Sequence, residues 1–362
     1  MAALSVIPRN AQHQGRREEQ QDAFAFSDPA GVENVHAGFL ALVADGMGGM
    51  SFGKEAAQTA IRAFLDAYAA KARDESIPAA LKRAARQANG AVRNFAEEHA
   101  EVGETGTTLA AAVIHDDLLY WLSVGDSRIY RLNDNSITKL NEEHNLNNKL
   151  RRLADQGLID EEEALDHPQK EALTSYIGIE DLWEIDMPDR PLRLHAGDQI
   201  ILCSDGLYKA LSDAEIFVAA RGAVVDRTVV DRTVVDGAVV DRAVAKGVVM
   251  DGTVTEDTAS RLVENVIRKE FPHQDNVTVV TLSLEKGGEE ARKRERPAAY
   301  GPDCRDIIVR IEALKKKKRR ARALLIAFAV AVLVVAAAAA FPEALVECRR
   351  FFRDMAGYFQ HP

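Results

Sequence analysis

Apolar residues in the first part of the chain recur with two different spacings. Six short apolar runs, most of them rich in branched or aromatic side chains, predict β-strands at residues 38–44, 107–114, 118–124, 128–132, 199–203 and 277–284. Three longer stretches, with apolar residues every three or four positions, predict amphipathic helices at 54–72, 78–99 and 257–271. Turn residues at 115–117 and 133–135 join the middle strands into hairpins. This arrangement predicts an antiparallel α+β sandwich rather than a series of βαβ units.

A different pattern begins near the C-terminus. Residues 323–341 are 19 uncharged and mostly apolar residues, and a helix of that length, at about 1.5 Å per residue, matches the hydrocarbon core of a bilayer. Seven lysines and arginines lie directly before this stretch, within 315–322, and three arginines follow it. By the positive-inside tendency, the sequence predicts a single-pass protein of the cell membrane whose large N-terminal part is cytoplasmic. The alternative is a buried, alanine-rich helix behind a basic signal of the nuclear type.

These patterns divide the chain into a folded body, 1–285, a charged linker, 286–322, the membrane helix, 323–341, and a short extracytoplasmic tail, 342–362. Within the body, residues 224–251 repeat a degenerate pentapeptide of the type VVDRT. About five short units are too few to stack into a solenoid, so we expect a low-complexity insertion in a surface loop. Its β-branched residues also allow an extended arm that pairs with a partner.

The charge distribution argues against nucleic acid as a partner. The chain has 46 basic and 56 acidic residues, a net charge of -10, and residues 1–314 alone carry 36 basic and 53 acidic residues, a net charge of -17. Sequence-independent binding of nucleic acid depends on neutralising phosphates, which such an acidic body does not favour. Three scattered cysteines indicate neither a disulfide scaffold nor a zinc site, and they fit a reducing compartment. Residues 1–22 lack the apolar core of a signal peptide.

Four aspartates stand at the ends of predicted strands. Asp45 and Asp205 each end an apolar run, Asp126 follows one, and Asp275 lies just before another. An edge of a sheet can gather such side chains into one site while the scaffold holds each in place. The carboxylates would repel one another unless cations lay among them, and oxygen ligands without a companion histidine or cysteine suit Mg²⁺ or Mn²⁺ better than zinc.

A set of motifs in a fixed order gives the chain a family likeness over about residues 5–284. The motifs are REEQQD (17–22), DGMGG (45–49), GTT (106–108), GDSR (125–128), LT (173–174) with a glycine at 178, SDG (204–206) and DN (275–276). Together they closely resemble the bacterial PP2C-type, metal-dependent serine/threonine protein phosphatases. The likeness does not extend to the pentapeptide repeat, the linker or the predicted membrane helix.

The resemblance implies an αββα sandwich of two antiparallel sheets flanked by helices, with a centre for two Mn²⁺ or Mg²⁺ ions at one edge and a third, weaker metal position. By that likeness the metal ligands are Asp45, bridging both ions, the carbonyl of Gly46, Asp205 and Asp275, with Asp22 acting through water and Asp126 at the third position. Arg17 matches the arginine that grips the substrate phosphate, and its planar fork can bind two oxygens at once.

Two positions, Met47 and His144, bear on the identity of the general acid. Met47 stands where many eukaryotic relatives carry a histidine, and a thioether cannot donate a proton. His144 resembles a histidine that precedes the flap of bacterial members, so it is a candidate for the acid or a phosphate contact, with a structural role as the alternative. Residues 145–172 resemble that flap, which shapes access to the site.

The resulting hypothesis is a membrane-tethered enzyme that removes phosphate from phosphorylated serine and threonine in proteins with an activated water, and that reverses a serine/threonine kinase. The alternatives are a pseudophosphatase that scaffolds phosphoproteins and a hydrolase of small phosphate metabolites. Cysteine-based hydrolysis is not favoured. Cys203 has Lys209 rather than an arginine six positions on, and Cys304, which does have Arg310, lies in a segment without the glycines that cradle phosphate.

Overall fold

The computed structural model describes residues 4–27, 36–48, 52–224, 227–235, 238–246, 249–250 and 257–286. By its internal contacts the chain separates into two units, 1–301 and 302–362, and every described residue belongs to the first. None of the helices in the described ranges is long and apolar enough to cross a membrane. The predicted membrane helix, 323–341, lies outside the described residues, so the structure leaves it a prediction.

Most strands of the described chain form two antiparallel sheets. The larger sheet has, in spatial order, β1 (Leu4–His13), β16 (Val277–Lys286), β11 (Gln199–Cys203), β8 (Arg128–Leu132), β9 (Ser136–Lys139), β14 (Ala238–Lys246) and β13 (Arg227–Val235). The smaller sheet has β10 (Leu192–Arg193), β7 (Leu118–Val124), β6 (Leu109–His115), β3 (Phe39–Ala44) and β2 (Ala23–Phe26). Two short pairs stand apart, β4 (Gly46–Gly48) with β5 (Thr105–Thr107) and β12 (Ala223–Val224) with β15 (Val249–Met250).

Alternate side chains of the two sheets meet in a shared core. Phe24 of β2 and Val43 of β3, from the smaller sheet, belong to the same buried cluster as Leu202 of β11 and Leu282 of β16, from the larger sheet. Successive residues of a strand point to opposite faces, so each strand supplies every second side chain to this layer. Each fully buried side chain of this size stabilises the fold by about 1.5–3 kcal/mol.

The described helices are α1 (Gly53–Ala69), α2 (Ile77–Glu98), α3 (Leu146–Asp155), α4 (Glu161–Asp166), α5 (Asp205–Tyr208), α6 (Asp213–Arg221) and α7 (Thr258–Arg268). The long α2 begins at Ser76, whose Oγ accepts from the backbone N–H of Ala79 at 3.3 Å, and has a proline in its first turn. The shorter α6 begins with a capping box between Ser212 and Glu215 and ends at Gly222 in the left-handed conformation.

Helices cover the outer face of each sheet. On the larger sheet, Cys203 and Val279 belong to a buried cluster with Phe217 of α6 and Leu262 of α7. On the smaller sheet, α1 packs against β3, α2 packs against β7, and the two helices pack against each other. The predicted α+β sandwich of two antiparallel sheets flanked by helices is therefore confirmed.

The pentapeptide repeat differs from the surface loop that we expected. Its strands β13 and β14 pair antiparallel from residues 227 and 246 to residues 235 and 238. β14 also pairs with β9, residues 242–244 opposite 136–138, and so extends the larger sheet. The reason is the composition of the repeat, because valine and threonine favour extended backbone. The extended form raised as the alternative is the one found, and within the described chain it pairs with β9 of the same chain.

Candidate active site

Five aspartates occupy the ends of strands from both sheets. In the smaller sheet, Asp22 immediately precedes β2 and Asp45 immediately follows β3. In the larger sheet, Asp205 lies two residues beyond the end of β11 and Asp275 lies two residues before β16. Asp126 lies in the turn between β7 and β8, which connects the two sheets. The core of the sandwich therefore fixes the backbone from which each carboxylate projects.

The five carboxylates lie close enough to repel one another. Burial raises the pKa of Asp45 well above its usual value, and the charges of Asp22, Asp205, Asp126 and Asp275 raise it further. The fold thus brings together aspartates that lie up to about 250 positions apart in the sequence. We call these five residues the aspartate cluster.

Asp22 is a buried member of the aspartate cluster, and its two carboxylate oxygens have different surroundings. It is 6% exposed, and the hydroxyl of Ser204 donates to its Oδ2 at 2.7 Å. Its other oxygen, Oδ1, is buried without a hydrogen-bond partner. Burial raises the pKa of Asp22 to about 7, with a smaller contribution from Asp205. A buried carboxylate oxygen without a partner is costly unless a cation or an ordered water meets it.

Threonines of the GTT motif hold the backbone of Asp45. The N–H of Asp45 donates to Oγ1 of Thr108 at 3.0 Å, and its carbonyl accepts from Oγ1 of Thr107 at 2.8 Å. Oγ1 of Thr108 is also 2.6 Å from the hydroxyl of Ser127, next to Asp126. These buried hydroxyls connect the loops that carry two of the aspartates and restrict their movement.

The glycines that follow two of the aspartates are required by close backbone approach. A Cβ on Gly46 would overlap the carbonyl group of Gly53, at the start of α1, and a Cβ on Gly206 would overlap the carbonyl oxygen of Asn276. Only glycine allows these contacts. The second contact brings the SDG turn against the DN segment, and with it Asp205 toward Asp275.

Two cations already pair with the cluster. Nη2 of Arg17 lies 2.7 Å from Oδ2 of Asp275, and Nζ of Lys209 lies 2.5 Å from Oδ2 of Asp205. The hydrogen bond to Asp275 raises the pKa of Arg17, and the charges of Asp205 and Asp45 add to it. The Arg17 side chain is nevertheless 61% exposed, so most of its guanidinium faces solvent at the mouth of the cluster.

Asn276 holds the loop that carries Arg17 in place. The sequence analysis named this residue only as part of the DN motif. It is buried, its Nδ2 donates to the carbonyls of Gln14 at 2.7 Å and Glu19 at 3.0 Å, and its Oδ1 accepts from the N–H of Gln21 at 2.7 Å. One side chain therefore holds both ends of the loop that carries Arg17. Its position directly after Asp275 was the available signal.

Asp126 is the member of the aspartate cluster that is connected, through Tyr208, to a second charged group. Burial raises its pKa to about 7, Asp205 adds to this, and Lys209 and the hydroxyl of Tyr208 oppose it. The guanidinium of Arg128 lies 3.6 Å from the centre of the Tyr208 ring. Arg128 therefore contacts the residue that supports Asp126.

Arg128 belongs to a buried set of matched charges. Its Nε pairs with Oε1 of Glu143, its Nη1 donates to the hydroxyl of Tyr130 at 3.0 Å, and Nζ of Lys139 lies 3.3 Å from Oε2 of Glu143. Burial alone would raise the pKa of Glu143, but Lys139 and Arg128 lower it below its usual value. Oδ1 of Asp213 lies 3.7 Å from Nη1 of Arg128, so two cations meet two carboxylates, and we call Arg128, Lys139, Glu143 and Asp213 the matched cluster. The sequence placed Arg128 in a motif without indicating these partners.

His144 is fixed by backbone contacts rather than by the aspartates. The N–H of Gly125 donates to its Nδ1 at 3.2 Å, so the proton of the neutral ring lies on Nε2. Its own N–H and carbonyl bond to Gly125 at 2.9 Å and Thr174 at 2.9 Å. Burial lowers its pKa, and the charges that act most on it are Glu184 and Glu142. These contacts fit the structural role that was the alternative to a role as the acid.

The segment predicted as the flap is partly helical and closed at its base. It contains α3 and α4, and Asn145 caps α3 by accepting from the N–H of Asn148 at 3.0 Å. Its ends meet where the N–H of Leu146 donates to the carbonyl of Ala172 at 2.9 Å. Leu158, near its tip, is 66% exposed. The two ends of the flap are therefore joined next to His144.

The donor chemistry of the cluster fits a hard divalent ion. All five side chains offer carboxylate oxygens, and Asp22 has an oxygen without a partner. As they stand, no three acidic, histidine or cysteine side chains within the part of the chain that the structure describes are grouped closely enough to hold a metal ion. A bound ion would draw the mutually repelling carboxylates closer together.

Known proteins share this sequence pattern and fold. A sequence profile of the family Protein phosphatase 2C matches residues 9–232. Serine/threonine phosphatase stp of Listeria welshimeri serovar 6b is 34% identical over 193 residues, which are 52% of this chain and 75% of that protein. Serine/threonine protein phosphatase PstP of Mycobacterium tuberculosis is 33% identical over 197 residues, which are 52% of this chain and 35% of that protein.

Solved structures show the same relationship. The Mycobacterium tuberculosis phosphatase PstP/Ppp has 27% identity and a TM-score of 0.55, covering 78% of this chain and 99% of that chain. The catalytic domain of PstP in complex with two manganese ions has 25% identity and a TM-score of 0.53, covering 79% of this chain and 100% of that chain. The chain therefore belongs to the protein phosphatase 2C family. The predicted class, a metal-dependent protein serine/threonine phosphatase, is confirmed.

Proposed function

We propose that the aspartate cluster binds two Mn²⁺ or Mg²⁺ ions and that the chain uses them to hydrolyse phosphoserine and phosphothreonine in proteins. The observation that carries this proposal is the excess of negative charge, because burial and the charges of four neighbouring carboxylates raise the pKa of Asp45, and two cations pair with the cluster. The related PstP catalytic domain was solved with two manganese ions, which supports the same choice of metal here.

Each member of the cluster has a proposed role. Asp45, Asp205, Asp275 and the carbonyl of Gly46 hold the two ions, and Asp22 orders water beside them through its unpartnered oxygen. Divalent ions bound in this way supply a water of lowered pKa for attack on phosphorus and positive charge toward the phosphoryl oxygens. Asp126 serves a third, weaker position.

Arg17 is proposed to bind the substrate phosphate. One nitrogen of its guanidinium is engaged by Asp275, which orients the group, and the exposed remainder of the fork can donate to two phosphoryl oxygens. Phosphate bound there lies beside the aspartate cluster, where neutralising the transferred group lowers the barrier. Met47 cannot protonate the departing alkoxide. We keep His144 as a candidate acid, while its contacts favour a positioning role.

Hydrolysis of a phosphopeptide by the full-length chain, purified in mild detergent, tests this function. We expect turnover with Mn²⁺ that is lost on chelation and in Asp205→Asn and Asp275→Asn. Absence of turnover with Mn²⁺ or Mg²⁺, together with phosphopeptide binding, would favour the pseudophosphatase. Faster turnover of sugar phosphates than of phosphopeptides would favour a hydrolase of small metabolites.

We also propose that residues 323–341 anchor the enzyme in the cell membrane, with the catalytic part cytoplasmic and opposing a serine/threonine kinase. The uncharged run and the basic residues before it support this orientation. Protease protection in sealed vesicles of known orientation tests it. Digestion of the catalytic part from the extracytoplasmic side would contradict the orientation.

A further inference from the structure

Trp183 is a large apolar side chain that the fold leaves in contact with solvent. It is 73% exposed, whereas Trp121, the other tryptophan of the chain, is 8% exposed. Within the described residues seven large apolar side chains are exposed, and four of these lie in the flap or in the loop that follows it, namely Leu153, Leu158, Leu165 and Trp183. Single exposed apolar residues are common, but a concentration of them on one part of the surface indicates a place where another molecule binds.

Contacts of Trp183 and of the next residue restrict the position of the indole ring. Nζ of Lys149, on α3, lies 5.5 Å from the centre of the Trp183 ring and 3.4 Å from Oε2 of Glu184. The same oxygen of Glu184 accepts from Oγ1 of Thr174 at 3.0 Å. One ammonium therefore bridges the ring and a carboxylate that is itself held in place. A side chain that is ordered before it binds a partner loses less conformational entropy on binding.

A short series of hydrogen bonds connects the Trp183 loop to the candidate active site. The N–H of Thr174, the residue bonded to Glu184, donates to the carbonyl of His144 at 2.9 Å. Nδ1 of His144 in turn accepts from the N–H of Gly125 at 3.2 Å, and the residue after Gly125 is a member of the aspartate cluster. A few residues of an extended peptide, at about 3.3 Å each, can follow such a path from the cluster to the ring.

The surface around Trp183 fits a partner with an apolar side chain. Leu153 is exposed and lies one turn after Lys149 on the same face of α3, so it continues the apolar surface beside the ring. Tryptophan is among the residues that contribute most to binding at protein interfaces. A protein substrate carries side chains on both sides of its phosphorylated residue, whereas a sugar phosphate does not. The partner that reaches both the cluster and the ring is therefore the phosphorylated protein itself.

We propose that Trp183 is a specificity-determining contact that binds an aromatic or large aliphatic side chain of the substrate protein, within a few residues of the phosphorylated serine or threonine. The inference rests on the proposed phosphatase function and adds a substrate class to it. Its consequence is a preference among phosphoproteins that the aspartate cluster, which meets the phosphate, does not provide.

Hydrolysis of a series of phosphothreonine peptides by the full-length chain with Mn²⁺ tests this inference. Each peptide carries one phenylalanine, placed from three positions before to three positions after the phosphothreonine, and alanine elsewhere. We expect at least one phenylalanine position to raise kcat/KM about tenfold above that of the peptide without phenylalanine. In Trp183→Ala this gain should fall below about twofold, while kcat/KM for the peptide without phenylalanine should stay within about twofold of the unmodified chain.

Two further variants act as controls. Phe271→Ala removes another exposed aromatic side chain, which lies beyond α7, and should leave the phenylalanine preference unchanged. Trp183→Phe keeps an aromatic ring and should retain at least about a third of the gain. An undiminished gain in Trp183→Ala, no preferred position in the unmodified chain, or an equal loss for the peptide without phenylalanine would each overturn the inference and leave the proposed function intact. Absence of hydrolysis of every peptide, with Mn²⁺ and with Mg²⁺, would overturn the proposed function.

Acrylamide quenching of tryptophan fluorescence gives a second readout that does not depend on turnover. Trp183 is the tryptophan that acrylamide reaches, because Trp121 is buried. The probe is a peptide with a non-hydrolysable phosphonate in place of the phosphate and phenylalanine at the preferred position. We expect it to lower the quenching constant by about half, since a bound side chain excludes solvent from the ring. Equal quenching with this peptide and with its phenylalanine-free counterpart would overturn the inference.

Discussion

The aspartate cluster and the matched cluster are neighbours in this fold, and they differ in how far cations compensate the negative charge of their carboxylates. In the aspartate cluster, burial and mutual repulsion raise the pKa of Asp45 and Asp22, and one oxygen of Asp22 has no partner. In the matched cluster, Lys139 and Arg128 lower the pKa of Glu143 despite its burial. Tyr208 joins them, because it supports Asp126 and lies beneath Arg128. Carboxylates whose charge is not compensated are suited to bind cations, whereas carboxylates paired with Lys or Arg are suited to stabilise the fold.

Replacing Asp45 should have the largest effect on activity and little effect on stability. We expect Asp45→Asn to reduce phosphopeptide turnover by about 10³-fold or more, equivalent to roughly 4 kcal/mol, because the variant loses a carboxylate that we propose as a metal ligand. The same change removes a repelling charge, so the free energy of unfolding in chelator should stay the same or rise. Turnover assays with Mn²⁺ and urea unfolding in chelator measure the two effects.

Asp74→Asn provides the control for Asp45→Asn, because Asp74 lies in the turn between α1 and α2 and is exposed. Its turnover should stay within about twofold of that of the unmodified chain. If Asp45→Asn unfolded more easily than the unmodified chain in chelator, the charge of Asp45 would be stabilising, and the contrast between the two clusters would fail.

Breaking the matched cluster should have the opposite signature. Arg128→Met leaves the buried carboxylate of Glu143 with Lys139 at 3.3 Å as its remaining ion-pair partner, so we expect a loss of about 3 kcal/mol in the free energy of unfolding. Urea unfolding in chelator measures this loss. Arg268→Met is the control, since Arg268 pairs with Glu264 on an exposed helix surface, where such pairs contribute about 0.3–0.5 kcal/mol. Equal losses in both variants would show that the matched cluster does not stabilise the fold.

A smaller effect is expected from changing the shape of the charge at the mouth of the aspartate cluster. Arg17→Lys keeps a positive charge near Asp275 but loses the planar fork, so kcat/KM for a phosphopeptide should fall by about 30-fold. Arg16→Lys, at the neighbouring exposed position, should change kcat/KM by less than about twofold. Steady-state kinetics at saturating Mn²⁺ decide between them. A loss no greater in Arg17→Lys than in Arg16→Lys would remove Arg17 from phosphate binding.

The strands of the sandwich could be predicted from the sequence where the local pattern of residues agrees with the position of the strand in the fold. The predicted strands 118–124, 128–132 and 199–203 coincide with β7, β8 and β11, because their branched and aromatic residues are bounded by turns. The ten-residue β1 was not predicted, since Pro8 interrupts its pattern. A proline is tolerated there because β1 is the edge of the larger sheet, which local sequence does not reveal.

The sequence predicted which residues form the site, but it did not predict the contacts that connect them. The aspartates and Arg17 stand in ordered motifs, so their residue types and positions could be matched one by one. The bonds from Asn276 to Gln14 and Glu19 cross 262 and 257 positions, and no local spacing predicts such pairs. The same holds for the contact of Arg128 with Tyr208. The capping box between Ser212 and Glu215 is, by contrast, a local pattern, although α6 was not predicted from it.

The half-buried carboxylate of Asp186 is intermediate between the carboxylates of the aspartate cluster and that of Glu143. Its Oδ2 accepts from Nε1 of Trp121 at 3.2 Å, and burial raises its pKa from 3.8 to about 6 despite that bond. The folded chain therefore binds this proton more tightly than the unfolded chain does. The stabilising contribution of the protonated group is present below pH 4 and is lost as the pH rises to about 6.

Asp186→Asn should remove this pH dependence, because an amide oxygen can still accept from Trp121 and carries no charge. Partial exposure reduces the effect, so we expect the variant to be more stable than the unmodified chain by about 1 kcal/mol at pH 8 and equally stable near pH 4. Urea unfolding across this range measures the difference, with Asp74→Asn expected to show none. A gain in the free energy of unfolding that grows with pH would show that the ionised carboxylate of Asp186 is uncompensated, as in the aspartate cluster. A loss at pH 8 would mean that its ionised form is matched, as Glu143 is.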